Sequence, residues 1–318
     1  MTTSIPSEAD WDYAPGLLEG AMELELTAEQ CGLRYWLQAV PQGTLRGRPD
    51  GYDPALKVGP HMLQGPFYDA ITQEYAFRAL AEEKATRVLS FLVASAPDLT
   101  SMEFYATQLI DECRHSMVFR NHLLSLGVPV QRLTEAVHEF AAPYVESVLD
   151  PLEQRCLEVM RDERDFIGGV VMITVILEGA LAPAAELSER KWRPIDPAAA
   201  EIDKGAGIDE IRHLTVGADV GRRWLQEHPK DKDRVVAMIR RGMEMWDELP
   251  THDMVYDREV RFQAGLELHA DIVGDYEIWP GRRLLDTTPQ ERQDTADAWS
   301  DDMKAKRLKY MGLEDALG

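Results

Sequence analysis

Residues 111–115 read Asp-Glu-Cys-Arg-His, and residues 209–213 repeat the pattern as Asp-Glu-Ile-Arg-His. In each copy the glutamate and the histidine are three residues apart, so in a helix their side chains lie on one face. A carboxylate and an imidazole placed in this way can bind one metal ion, and they suit iron or manganese, and zinc less often. The repeat therefore predicts two helices that meet at a metal site. Its ligands would be Glu112, His115, Glu210 and His213.

Apolar residues recur at helical spacing through most of the chain, and no run shows the period of two that is typical of strands. Stretches rich in proline and glycine separate the helical patterns. The predicted helices cover about residues 27–40, 66–95, 101–126, 133–161 with a bend near Pro143 or Pro151, 165–187, 196–226, 234–249, 258–272 and 289–313. The first 25 residues read as an irregular tail. We expect an all-α protein with a single domain over residues 1–318.

The chain has 318 residues and a formal charge of −22. So acidic a surface repels phosphate backbones and anionic membranes, which argues against nucleic acid and membranes as partners. Three scattered cysteines do not suit a disulfide framework or a thiolate zinc site, so a cytoplasmic protein is expected. No targeting pattern is visible, and the apolar run of residues 166–177 meets Glu178 before it is long enough to span a bilayer. A buried core helix is expected there.

Two further carboxylates are expected at the metal site. Glu178 follows an unbroken apolar run, where a lone carboxylate is costly to bury unless it is paired or binds a cation. It lies 32 residues before Glu210, which leaves room for a helix to end, turn and return. On the first long helix, Glu82 lies 30 residues before Glu112 and faces the same way as its apolar neighbours. This favours Glu82 over the two other choices on that helix, Glu74 and Glu83.

The aspartate and arginine of each repeat have an expected function of their own. A histidine that binds a metal usually donates its other ring N–H to a carboxylate or a carbonyl. Asp111 and Asp209 would each hold the histidine of the opposite helix, and Arg114 and Arg212 would balance their charge. A further Glu-x-x-His, residues 135–138, lacks the flanking Asp and Arg and is interpreted as an ordinary helix face.

Three small residues are candidates for the surroundings of the metals. Gly205 and Gly207 lower helix propensity just before Asp209, so they mark either a π-bulge or gap for substrate, or close helix packing. Thr174 lies four residues before Glu178, where it either lines a pocket or serves as a structural hydroxyl.

Residues 66–220 resemble the ferritin-like di-iron carboxylate superfamily, because of the two D-E-x-R-H motifs. These motifs look most like those of bacterial multicomponent monooxygenases, and Glu82-Glu83-Lys84-Ala85-Thr86 is similar to their first ligand helix. The resemblance implies a four-helix bundle core with additional helices, a centre of two iron ions and O₂ as co-substrate. The ligands that it implies are Glu82, Glu112, His115, Glu178, Glu210 and His213. An iron–manganese pair is equally compatible with these donors.

Two positions depart from particular members of the superfamily. Phe119 stands where ribonucleotide reductase small subunits carry a radical tyrosine, and Ala206 stands where arylamine N-oxygenases carry an additional histidine ligand. In size and isolated architecture the chain is most similar to stand-alone natural-product enzymes that act on nitrogen. The resemblance thus implies an O₂-dependent oxidase or oxygenase of a small amine, hydroxylamine, hydrazine or azoxy precursor, with an external electron donor. A homodimer is expected from size alone. The alternatives are a C–H hydroxylase or desaturase, a ferroxidase or iron-binding protein, and a structural helical protein without metal.

Overall fold

A computed structural model describes residues 7–10 and 13–317, and in these ranges the protein is all-α apart from one small hairpin. The α-helices are α1 Leu17–Glu23, α2 Leu33–Ala39, α3 Pro66–Ser95, α4 Leu99–Ser125, α5 Leu133–Tyr144, α6 Asp150–Leu157, α7 Phe166–Val171, α8 Glu178–Trp192, α9 Pro197–Glu227, α10 Lys232–Glu248, α11 Thr251–Leu268, α12 Ala270–Val273 and α13 Pro289–Met311. Three π-helical segments join neighbouring helices: Val145–Leu149, Glu158–Asp162 and Met172–Leu177. The hairpin pairs β1 Glu277–Trp279 with β2 Arg282–Arg283.

The long helices α3, α4, α8 and α9 form the centre of the molecule. Helix α3 packs most extensively against α4, α8 packs against α9, and α4 also contacts α9. Only three residues join α3 to α4 and four join α8 to α9, so the helices of each pair run antiparallel. One apolar cluster contains the first half of α3 and the second half of α4, while another contains the opposite halves. Polar residues therefore occupy the middle of the α3–α4 pair, between two apolar layers.

Side-chain caps explain where two of these helices begin. The carboxylate of Asp98 accepts a hydrogen bond from the backbone N–H of Ser101 at 2.8 Å, and Asp196 accepts one from the N–H of Ala199 at 3.3 Å. Each cap satisfies a donor that the first turn leaves without a helical partner. Pro197 at the first helical position of α9 adds a backbone already suited to the helix. Both starts agree with the sequence prediction to within two residues.

The prediction of an irregular tail over residues 1–25 was wrong for part of that segment. Helix α1 packs against α8, α9 and α13, and its Leu17 and Ala21 are buried. Gly20 allows the close approach, because a Cβ on it would lie 2.6 Å from Cδ1 of Ile211. This contact between distant segments leaves no local sequence pattern. Residues 1–6 and 11–12 of the predicted tail lie outside the described residues.

The hairpin was also missed by the sequence analysis. Its strands are three and two residues long, too short for an alternating pattern to be recognised. Gly281 makes the turn with a φ of +76°, a conformation that glycine adopts at little cost. The hairpin contributes no residue to the site described below.

The apolar segment predicted as a core helix is buried. Among the described residues, one helical run, 166–192, is long and apolar enough by length and composition to cross a membrane. Most of its apolar window, 78%, is buried inside the protein, as in the core helix of a globular domain. The run is not one regular helix, because α7, the π-helical segment 172–177 and α8 follow one another within it.

Candidate metal centre

Four helices bring the predicted ligands together in the polar middle of the molecule. Helix α3 supplies Glu82, α4 supplies Glu112 and His115, α8 begins with Glu178, and α9 supplies Glu210 and His213. The side chains form two groups whose ligand atoms all lie within 4.8 Å of one another. One group contains Glu82, Glu112 and His115, and the other contains Glu112, Glu178, Glu210 and His213. Because Glu112 belongs to both groups, the two candidate ion positions are adjacent.

Both histidines point their Nδ1 atoms into the cluster. Nδ1 of His115 lies 3.2 Å from Oε2 of Glu112 and 3.7 Å from Oε1 of Glu210. Nδ1 of His213 lies 3.1 Å from Oε1 of Glu112 and 3.6 Å from Oε2 of Glu210. Each of these two glutamates therefore directs one carboxylate oxygen toward each histidine. This is the arrangement that a carboxylate shared by two metal ions requires.

Unsatisfied buried atoms indicate that the donor set fits a metal. Oε2 of Glu178 is buried and has no hydrogen-bond partner among the described residues, and Nδ1 of His213, although it lies 3.1 Å from Oε1 of Glu112, makes no hydrogen bond of suitable geometry. A buried polar atom without a partner costs free energy, so native proteins rarely keep one without a reason. Both atoms belong to the cluster, and a bound cation would satisfy both. The residues present thus fit a metal centre with oxygen and nitrogen ligands.

Burial and crowding set the pKa values of the cluster. Burial, and then the neighbouring carboxylate of Glu112, raise the pKa of Glu82 well above its usual range. Glu178 is affected in the same way, by burial and by Glu210. Burial also acts on Glu112, but the contacts with His213 and His115 outweigh it and hold the pKa of that carboxyl below its usual range. Without a cation, the cluster keeps some of its carboxyls protonated.

The predicted contacts across the helix pair are present on the far side of each imidazole. Nε2 of His115 lies 3.1 Å from Asp209 on the opposite helix, and Nε2 of His213 lies 3.3 Å from Asp111. Arg114 donates to Asp209 at 2.8 Å, and Arg212 donates to Asp111 at 2.6 Å. These contacts fix the orientation of both rings, so that Nδ1 is the atom presented to the cluster.

The structure separates the three glutamates of α3. Glu82 joins the cluster, while Glu74 lies with Arg78 and Lys191 in another group of buried charges. The side chain of Glu83 is 43% exposed and pairs with Arg87 one turn later. The sequence preference for Glu82 agrees with this placement. The additional Glu-x-x-His motif is indeed an ordinary surface feature, because both Glu135 and His138 are exposed.

Two residues that support the site were missed by the sequence analysis. Gln108 lies four residues before Glu112, on the same face of α4, and its side-chain amide donates to Glu178. The indole N–H of Trp36 donates to Asp111 at 2.9 Å. Spacing on α4 could have identified Gln108. Nothing local could have identified Trp36, since it lies 75 residues from Asp111.

A π-helical turn lies directly before Glu178, and not at Gly205 and Gly207, where the sequence suggested one. The segment Met172–Leu177 ends directly before Glu178, whereas α9 continues as an α-helix through Gly205 and Gly207. A Cβ on Gly205 would lie 2.8 Å from Leu45, and one on Gly207 would lie 3.5 Å from Leu17. Close packing therefore holds for Gly205, whereas a Cβ on Gly207 would make only an ordinary van der Waals contact. Single π-turns often occur at functional sites, where they re-aim a side chain.

A cavity of about 480 Å³ adjoins the cluster, and the carboxylates of all four helices form part of its wall. Phe119 and Ala206 also line it, so the wall holds an apolar ring at one of these positions and a methyl group at the other. Thr174, Gly205 and Gly207 are not among its lining residues. Thr174 packs against Gly217 of α9, which explains its burial.

The protonation of the cluster predicts how metal affinity depends on pH. Burial opposes charge on His115 and His213, but their carboxylate contacts outweigh it and raise the pKa of both imidazoles well above 6.5. Groups with a raised pKa stabilise the metal-free fold at low pH, and this contribution is lost as the pH rises through the folded-state pKa. A metal ion replaces these protons, so its affinity grows with pH.

We therefore expect the rise in melting temperature produced by Fe(II) or Mn(II) to be larger at about pH 8 than at about pH 6, with apparent affinity growing at least about tenfold per pH unit. Differential scanning fluorimetry without oxygen, at constant ionic strength, measures this change. A metal-induced rise that is equal at both pH values would show that binding displaces no protons from the cluster.

Comparisons with known proteins assign no family. No protein-family model matches the chain, and a search of curated proteins finds no match. The class of the protein therefore rests on its own fold and site. It is an all-α protein with a buried cluster of glutamates and histidines at metal-binding distance, which is compatible with a di-iron centre.

Proposed function

We propose that the chain is a ferritin-like di-iron protein in which α3, α4, α8 and α9 form the four-helix bundle. Each of these helices supplies ligands to the cluster: one glutamate each from α3 and α8, and a Glu-x-x-His pair each from α4 and α9. This distribution is the pattern of ligands in ferritin-like carboxylate proteins. One ion would be held by Glu82, Glu112 and His115, and the other by Glu112, Glu178, Glu210 and His213.

The charges inside the centre support two divalent cations. The cluster contains four glutamates, which carry four negative charges when all are ionised. Asp111 and Asp209 do not add to this charge, because Arg114 and Arg212 pair with them. Two divalent ions would neutralise the remaining charge in a site that is shielded from water. With one ion, two of these charges would have to be neutralised by bound protons.

We propose further that the protein oxidises a small organic molecule with O₂. The observation that carries this proposal is the cavity of about 480 Å³ whose wall includes four of the cluster's carboxylates. Such a volume suits a small-molecule ligand, which iron storage would not require. Bound iron would supply redox chemistry and O₂ activation. The choice of nitrogen as the oxidised atom rests on the resemblance of the chain to stand-alone N-oxidising enzymes, with C–H hydroxylation or desaturation as the second choice.

The residues of the chain would contribute orientation and protection. Asp111 and Asp209 hold the imidazoles so that neither Nε2 competes for the metals. The apolar part of the cavity, including Phe119 and Leu177, keeps bulk water away from the reacting atoms. The chain has no sequence motif for a flavin, nicotinamide or iron–sulfur group, so electrons would come from a separate donor or from the substrate.

The test loads the full-length protein with Fe(II) without oxygen, measures metal per chain, and follows the optical spectrum when O₂ is added. We expect two ions per chain and a spectral change that needs O₂. Incubation with amines, hydroxylamines and hydrazines, followed by mass spectrometry, then separates N-oxidation from C–H oxidation. A protein that takes up neither iron nor manganese would refute the proposal. Iron loading far beyond two ions per chain in a cage-sized assembly would favour a ferroxidase.

A further inference from the structure

A second group of buried charges adjoins the same cavity, whose wall includes its members Glu74, Arg78, Lys191 and Glu259. It connects α3, α8, α9, α11 and α13 through ion pairs that run from Asp203 to Arg78, Glu74, Lys191, Glu259 and Arg292. Each of these pairs has an N···O distance of 3.5 Å or less. Within this network, every cation has a carboxylate partner.

Arg258 on α11 is the exception. It is only 9% exposed and lines the cavity, but it makes no ion pair with a carboxylate of the described residues. Its Nε donates to the carbonyl of Met254 on its own helix at 3.3 Å, and its guanidinium lies 5.4 Å from the ring centroid of Phe77. Its two terminal nitrogens have no hydrogen-bond partner among the described residues. Glu74 and Glu259 act on it only electrostatically, from beyond ion-pair distance.

The network together with Arg258 carries an excess of positive charge. Four cations stand against three carboxylates: Arg78, Lys191, Arg258 and Arg292 against Glu74, Asp203 and Glu259. A buried cation without an anion is expensive, and a ligand that supplies one negative charge would remove the cost.

We propose that Arg258 binds the carboxylate of a small monoanionic substrate and holds it in the cavity beside the metal cluster. A guanidinium with two free nitrogens matches the two oxygens of a carboxylate. The excess of one charge fits a monoanion better than a dianionic phosphate. This inference rests on the proposed function, because it names the class of substrate that the site would bind.

The position of Arg258 indicates the length of the substrate. Its guanidinium lies against Phe77, which is five residues before Glu82 on α3. At 1.5 Å per residue, this separation is about 7.5 Å along the helix axis. In the proposed binding mode, the oxidised atom of the substrate would be several bonds away from its carboxylate. Probes for binding should be chains of roughly four to eight carbons.

The experiment measures binding by calorimetry of straight-chain carboxylates from butanoate to octanoate, each beside its neutral amide, to the full-length protein. We expect the wild type to bind carboxylates and not amides, and Arg258→Met to lose about 10- to 100-fold in affinity. Arg258→Lys, which keeps the charge but not the planar fork, should fall between them. Arg261→Met, an exposed arginine on the same helix, is the matched control and should bind as the wild type does.

Two further readouts separate the possible results. Without carboxylate, Arg258→Met should melt at a higher temperature than the wild type, because it removes an unpaired buried charge. Metal content is measured on the same samples. If Arg258→Met keeps the metal content of the wild type but loses carboxylate binding, the inference is supported. If the wild type binds carboxylates through Arg258 but takes up no metal, only the proposed function is refuted. Equal binding of carboxylates and amides, carboxylate binding that survives in Arg258→Met, or preferential binding of inorganic phosphate would overturn the inference.

Discussion

The substitution Glu112→Ala is expected to abolish binding of both metal ions, with a loss of affinity greater than about 100-fold at each position. Glu112 belongs to both ligand groups, and its two carboxylate oxygens approach His115 and His213 more closely than those of Glu210 do, at 3.2 and 3.1 Å. Loss of a residue that only orients a metal-binding histidine typically lowers metal affinity 10- to 100-fold, so loss of a ligand shared by two ions should lower it more. Metal content after loading with Fe(II) and gel filtration measures the effect.

Two companion variants make this result specific. Glu82→Ala removes a member of only one group, so it should lower metal content from two ions per chain toward one. Glu83→Ala changes the neighbouring exposed carboxylate, which pairs with Arg87, and should leave metal content unchanged. Circular dichroism confirms that each variant is folded. If Glu112→Ala retains two ions, the assignment of a shared ligand is incorrect.

The sequence was most informative where function depends on residues close together in one helix. The spacing of Glu112 with His115, and of Glu210 with His213, places each pair on one face whatever the rest of the chain does. The same geometry separated Glu82 from the exposed Glu83. Even the contacts of Asp111 and Asp209 with the opposite histidines followed, because two like motifs that face each other place these groups symmetrically.

What could not be predicted depends on contacts between distant segments. Helix α1 is stabilised by packing of Leu17 and Ala21 against α8 and α9, and its own sequence is too short to indicate a helix reliably. The π-turn before Glu178 lies in an apolar run whose residues favour no one register. Arg258 also has no distinguishing neighbour in sequence, and only its position in the cavity wall distinguishes it.

The substitution Arg212→Met should lower the free energy of unfolding by about 3–5 kcal/mol, because it leaves buried carboxylates without their partner. Arg212 is fully buried and donates to Asp111 at 2.6 Å and to Asp209 at 3.0 Å. In the wild type, burial raises the cost of ionising Asp209, but Arg114, His115 and Arg212 outweigh it and hold its pKa well below the usual range.

The same variant should respond to pH in a defined direction. Without Arg212, the folded-state pKa of Asp209 moves back from well below its usual range toward 3.8, so the variant loses stabilisation that the wild type has above about pH 4 and that disappears as the pH falls through the folded-state pKa. The difference between the variant and the wild type should therefore be greater at about pH 7 than at about pH 3 when unfolding by urea is followed by circular dichroism. Arg212→Lys should recover only part of the loss, because one ammonium cannot reproduce the geometry of a guanidinium between two carboxylates.

Arg132→Met is the control. It removes an exposed arginine paired with Glu135 and Glu139, and it should leave stability unchanged. Equal stability of Arg212→Met and the wild type at both pH values would mean that this buried charge does not hold the two aspartates in place, and that the histidines are oriented by other contacts.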